Sequence, residues 1–244
     1  MAAHLAELAW TEVPDRSVLV VPTGSCEQHG PHLPLDVDLR IASALAAAAA
    51  EGRHDVVVGP PLTIGASGEH QSFPGTLSIG TEALVTVVVE LSRSALPPPG
   101  SGLPEPFAGV LFVNGHGGNV EAFATATARL RDEGRAVEVW HPRVPGGDSH
   151  AGRTETSLLL HLDPACVRAD RLPVGSTARW REIGDVVRAE GLAAVTPNGV
   201  LGDATGATAE EGARVFEELL ADLRGALARF ADGVGTSPAP APGS

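Results

Sequence analysis

The sequence predicts an α/β domain: three layers, α/β/α, around a mostly parallel central sheet. Short apolar, β-branched runs recur along the chain, and segments that read as helices follow them. Polar, glycine-rich stretches come directly after several of these runs, where a parallel sheet places the loops at its carboxyl edge. With 244 residues, 43% of them hydrophobic, the chain can bury one sizeable core.

Taken in order, Leu5 to Trp10 reads as a short helix packed on the sheet, with Trp10 in the core. The run 17–22 is the first strand, buried on both faces. Residues 39–51 form the first long helix, with Ile41, Leu45 and Ala48 on one face and Gly52 as its stop. The run 55–59 is the second strand, and 65–76 is its long polar exit loop. A helix runs from Thr81, a candidate N-cap, to about Ala95. The proline-rich stretch 96–106 cannot be regular structure and reads as a surface excursion. Residues 109–113 form the third strand, and Asn119 can cap the helix at 120–131. The fourth strand is 136–140; a loop then leads into a helix that carries Glu155. Residues 177–191 read as a helix, 196–207 as a glycine-rich loop and 209–230 as an amphipathic helix stopped by Gly233. The folded domain is expected over 1–232, and the tail 233–244, rich in Pro and Ala, is expected to be disordered.

Charge narrows the function. Seventeen Lys and Arg stand against thirty Asp and Glu, a net charge of −13, with no basic patch. That argues against nucleic acid and against an anionic membrane surface. No apolar run approaches the ~20 residues that span a bilayer, and the first residues carry no signal-peptide pattern. The two cysteines, Cys26 and Cys166, form no disulfide framework and fit a reducing cytoplasm.

The chemistry concentrates in four polar stretches. Glu27 and His29 follow the first strand at a two-residue interval, which puts both on one face of an extended chain. Asp38 lies where the next helix begins. Two carboxylates and an imidazole converging on one point suit a divalent metal; taken singly, each also fits a polar loop or a helix cap. His70, in the second loop, can touch substrate or metal, or simply tie the loop together. His116, in Asn114-Gly115-His116-Gly117-Gly118-Asn119, is a further ligand candidate that loop carbonyls could equally satisfy. Glu155 fits the first turn of a helix or a cation in the crevice.

The string Gly24-Ser25-Cys26-Glu27-Gln28-His29-Gly30-Pro31-His32-Leu33-Pro34-Leu35-Asp36-Val37-Asp38 resembles the signature of the creatininase family of metal-dependent amidohydrolases. Asn114-Gly115-His116 and the pattern from His150 to Ser157 resemble its second and third signatures. The resemblance implies that Glu27, Asp38 and His116 bind one metal and that His29, Asp38 and Glu155 bind another, Asp38 bridging. It gives His150 as the catalytic histidine, with Glu155 beside it. His70 and Phe73 belong to a segment that the family places beside substrate, and Gly117, Gly118 or Asn119 could offer backbone donors to an oxyanion. In creatininase itself the position of Gly118 holds an acidic metal ligand, so Glu155 is expected to supply the missing carboxylate.

The implied cofactors are two divalent ions: zinc, iron or manganese. The implied reaction is hydrolysis of an amide C–N bond, in a homo-oligomer that is a hexamer in relatives. Several stretches, including Gly68 to Thr76 and Asn198 to Asp203, resemble one branch of the family that cuts a modified precursor peptide near its C-terminus. A small-molecule amidohydrolase acting on creatinine or a formamide, and a non-catalytic metal-binding scaffold, are the alternatives.

Overall fold

A computed structural model describes residues 2–236. Its sheet has five strands: β1 (Ala3–His4), β2 (Ser17–Thr23), β3 (Val56–Val58), β4 (Phe107–Asn114) and β5 (Val137–Trp140). They lie in the order β1-β3-β2-β4-β5, and every pairing is parallel. The described residues hold six α-helices, α1 (Val37–Ala50), α2 (Gly80–Ala95), α3 (Val120–Asp132), α4 (Arg153–Leu162), α5 (Trp180–Glu190) and α6 (Ala209–Val234); α5 packs in a separate small cluster with Leu192 and Leu201.

The three layers follow from strand alternation. Val18 and Val20 of β2 and Leu111 and Val113 of β4 join Ile41 and Leu45 of α1, Leu158 of α4 and Leu219 and Leu223 of α6 in one core. Leu19 and Val21, with Val110 and Phe112, face the other way onto Leu84 and Val88 of α2 and Phe123 and Leu130 of α3. Successive side chains leave opposite faces, so an uninterrupted apolar run buries itself twice. Phe112 and Phe123 meet with ring centroids 5.2 Å apart. Truncating such a side chain to alanine costs about 3–5 kcal/mol.

Several expectations need correction. The segment 5–10, expected to be a short helix, instead holds a single 3₁₀ turn, Leu5–Glu7, and the start of a second, Trp10–Glu12; the two-residue strand β1 precedes it. Trp10 is 87% exposed, not core. Helix α2 starts at Gly80, one residue before Thr81, and no side chain caps it. Asn119 does not cap α3; its amide is spent on Ala66, Gly24 and the end of β4 at Asn114. Helix α6 continues through Gly233 to Val234, and Gly235, in the left-handed region at φ 66°, ends it. The boundary drawn at 232/233 therefore falls within the last turn, and the tail's residues 237–244 lie outside the described residues.

Candidate active site

The exits of β2 and β4 meet above the first turn of α1. Gly115, the first residue after β4, presses against it: a Cβ at Gly115 would lie 2.4 Å from the Asp38 carbonyl oxygen. Only glycine permits that approach, and it sets His116 beside the Asp38 side chain. The loop after β2 is held by a Glu27 N–H bond to the Leu35 carbonyl (2.9 Å) and a Leu77 N–H bond to the Cys26 carbonyl (2.8 Å).

Asp38, 2% exposed, divides its carboxylate between two imidazoles. Oδ1 is 3.2 Å from His29 Nε2, and Oδ2 is 3.2 Å from His116 Nδ1. The Ser25 hydroxyl also donates to Oδ2, at 2.7 Å. Glu27 is wholly buried, and neither of its oxygens has a hydrogen-bond partner. Imidazole nitrogens surround it off alignment: His116 Nε2 at 3.1 Å from Oε2, His70 Nε2 at 3.3 Å and His150 Nδ1 at 3.7 Å from Oε1. Glu155 Oε2 accepts the Ala151 N–H at 2.6 Å and stands 3.7 Å from His29 Nε2.

These donors fit a metal centre. An orphaned, fully buried carboxylate is costly unless a cation completes it. His29 Nδ1 lies 3.2 Å from the Glu27 carbonyl, to which it can donate while Nε2 faces the two carboxylates, the usual arrangement of a ligating histidine. Three sets of side chains offer ligand atoms within 4.8 Å of one another: Glu27–Asp38–His116, His29–His150–Glu155 and Glu27–His70–His150.

The electrostatics agree. Burial pushes the Glu27 carboxyl up, but His116 outweighs it and holds the group at about 2. Burial likewise opposes ionisation of Asp38, and His29 and His116 keep it well below the usual range. The counter-charge sits on imidazoles: against burial, Asp38 and Glu155 lift His29 to about 9, and Glu27 and Asp38 lift His116 well up. His70 and His150 go the other way. Burial takes His70 down to about 4 and, with neighbouring His29, takes His150 well below its ordinary value. Burial raises Glu155 to about 7, against the pull of His29. The metal-free centre thus holds protons where divalent ions would stand, and binding would release them.

A cleft of about 290 Å³ opens onto the centre, lined by His116, Gly117, His141, Ser149, His150 and Glu155 among others. Glu27, His29, Asp38, His70, His116, His150 and Glu155 therefore converge. Phe73 does not line this cleft; it packs on Ile183, Val187, Leu192 and Leu201. Of the three proposed oxyanion residues, only Gly117 lines the cleft. Asn119 is buried: its side chain accepts from Ala66 N–H and donates to the Gly24 carbonyl and to Asn114. Its own N–H donates to the His116 carbonyl.

Three neighbours carried no assignment. Glu69 fills the space beside Gly118: a Cβ there would meet the Ala66 carbonyl at 2.3 Å and Glu69 Oε1 at 2.5 Å. Glu69 lies 3.6 Å from His116 Nε2, whereas Glu155 stands on the His29 side. Gln28 reaches His70 and His150 through its amide. At the end of β5, His141 Nδ1 accepts from Asn114 Nδ2 at 3.1 Å. The Glu69-His70 pair was visible in the sequence; nothing local singled out Gln28 or His141.

The fold and the site define a class: an α/β domain with a buried carboxylate–imidazole centre, suited to metal, at the carboxyl edge of a parallel sheet. A family model for creatinine amidohydrolase, Creatininase, matches residues 6–227. The chain is 51% identical over 209 residues to a mycofactocin precursor peptide peptidase of Mycolicibacterium smegmatis, covering 83% of this chain and 81% of the relative. It is 45% identical over 241 residues to the protein of that name from Mycobacterium tuberculosis, covering 94% and 92%. A solved structure described as Creatininase Mn superposes with a TM-score of 0.75 at 25% identity, covering 94% of this chain and 98% of that one. The chain belongs to the creatininase family and is a hydrolase acting on amide bonds.

Proposed function

We propose that the protein is the peptidase that cuts the modified mycofactocin precursor peptide and releases its C-terminal crosslinked Val-Tyr-derived unit. The relatives' names and the extent of the match support the substrate. The observation that carries the chemistry is the buried Glu27 carboxylate, unpaired and ringed by imidazoles. Glu27, Asp38 and His116 would hold one divalent ion, and His29, Asp38 and Glu155 a second; the two Asp38 oxygens lie beside His116 and His29, one each. The candidate ions are zinc, iron and manganese. When bound, such a pair supplies an acidified water and charge stabilisation for the tetrahedral intermediate.

The chain's own groups do the rest. Gly117 brings backbone to the cleft beside the reacting carbonyl. His150, facing the centre, passes a proton to the leaving nitrogen. His70 braces the Glu27 carboxylate from the side opposite His116. We also propose that the enzyme works in the cytoplasm as a homo-oligomer, a hexamer by resemblance. No described helix is long and apolar enough to cross a membrane.

Mass spectrometry tests the substrate. Metal-loaded protein is incubated with the modified precursor peptide, and separately with creatinine and with a formamide. Metal-dependent release of a C-terminal dipeptide-derived fragment is expected. An intact peptide beside turnover of either small amide would move the protein to another branch of the family.

A further inference from the structure

Gln28 lies between two proposed ligands, 5% exposed, and the orientation of its amide is fixed. Oε1 accepts the Gly30 N–H at 2.8 Å, and Nε2 donates to the Gly199 carbonyl at 3.0 Å. Exchanging the two atoms would set oxygen against a carbonyl and nitrogen against an N–H. The amide is also wedged in place: a Cβ at Gly199 would come within 1.9 Å of Oε1.

Nε2 has two further neighbours, His70 Nδ1 at 3.1 Å and His150 Nε2 at 2.9 Å. An amide nitrogen carries two hydrogens and no acceptor. One hydrogen goes to Gly199, so the other can satisfy only one imidazole. The second imidazole must bring its own hydrogen and find its own acceptor. His150 Nε2 has one, the Gln28 carbonyl oxygen, at 2.9 Å. Only one arrangement pairs both of these ring nitrogens: Gln28 donates to His70 Nδ1, and His150 Nε2–H donates back to the Gln28 carbonyl.

We infer that Gln28 is a positioning residue that holds both rings in the Nε2–H tautomer, so that His150 presents the Nδ1 lone pair to the reaction centre. This deepens the hydrolase reading above and rests on it. His70 Nε2 then carries its proton 3.3 Å from Glu27 Oε1 but off hydrogen-bond alignment, and with Nδ1 accepting from Gln28 the ring has no lone pair left for a metal. That removes the Glu27–His70–His150 set from the three possible ligand groups. The proton path acquires atoms. As water attacks the amide carbonyl, its O–H bond breaks and the proton binds His150 Nδ1, while the new O–C bond forms. The C–N bond then breaks as the same proton passes from Nδ1 to the leaving nitrogen. His150 ends as it began, with Nε2–H still on the Gln28 carbonyl.

The test is ¹⁵N NMR of histidine-labelled protein, metal-free and zinc-loaded, which reads the tautomer of each ring without substrate. Both His70 and His150 are expected as Nε2–H in the wild-type protein. Gln28→Glu replaces the donor with an acceptor, so His70 should switch to Nδ1–H. Gln28→Met, which offers no hydrogen bond, should lower kcat about 10–100-fold with little change in KM, as loss of a positioning group does. A wild-type His150 carrying its proton on Nδ1 would overturn the inference, and so would a His70 tautomer indifferent to a folded Gln28→Glu variant. Should that variant fail to fold, the wild-type spectrum still decides. Failure of the peptide assay alone leaves the tautomers in place and tells against the substrate.

Discussion

Carboxylates at the centre and carboxylates on the outer surface face different partners. Asp36 and Asp163 share Arg40 at 2.7 and 2.8 Å, Asp55 pairs with Arg53, and Glu133 pairs with Arg93. Among the described residues, no arginine lies within ion-pair distance of Glu27, Asp38 or Glu155. Their partners are imidazoles. An arginine keeps its proton at any accessible pH, so its pair is permanent. An imidazole can give its proton up, so a carboxylate–imidazole pair can exchange the proton for a metal ion. The surface pairs are fastenings; the central ones are a site held ready by protons.

The largest effect should come from Asp38, which alone faces both imidazoles with separate oxygens. Asp38→Ala should fold, lose metal and lower turnover of the peptide by at least ~100-fold. Metal content and the mass-spectrometric assay check this together. A variant that keeps both metal and turnover would break the contrast, because the central carboxylates would then be as dispensable as those on the surface.

The metal-free protein sharpens the contrast through pH. Although burial opposes it, His29 is raised from 6.5 to about 9 in the fold. A folded-state value above the unfolded one means the unfolded chain gives up its proton first. The stabilisation is therefore complete below pH ~6.5 and is lost as pH climbs through about 9. The loss is on the order of 3 kcal/mol. Denaturant unfolding of chelated protein should show the decline, whereas metal affinity should rise over the same range because ligating imidazoles must be neutral. Chelated protein whose stability is flat from pH 6 to 9 would mean that the imidazoles do not carry the counter-charge.

How much was legible in the sequence follows from how each residue acts. Glu27 and His29 share one loop and Asp38 opens the helix directly after it, so strand alternation and residue type already bring the three toward one point. The strands of the central sheet were legible because each is a run that buries both faces. His116, His150 and Glu155 became assignable only through their surrounding strings, since nothing local says that three loops meet. Gln28 and Glu69 were not assignable, because their roles exist only after β2, β4 and the loop after β3 close on one another. Asn119 misled for the same reason: cap chemistry was available locally, but Gly24, Ala66 and Asn114 competed for the amide and won. Strand β1 is too short to leave a pattern.

The smallest effect should come from the outer surface, and its smallness is informative. Arg53 Nε donates to Asp55 Oδ1 at 2.9 Å, and the hydrogen bond from Arg53, against partial burial, keeps the Asp55 carboxyl below its usual value. Both side chains remain partly open to water, which screens the pair. Arg53→Ala should cost up to ~1 kcal/mol in denaturant unfolding and leave peptide turnover unchanged. A depressed carboxyl contributes above its unfolded value of 3.8, so the difference from wild type should fade as pH drops through that range. If Arg53→Ala instead lowered turnover, the pair would be coupled to the centre through β3, which continues from Asp55 toward the loop that carries Glu69 and His70. The division between permanent and exchangeable partners would then describe one connected network and not two separate regions.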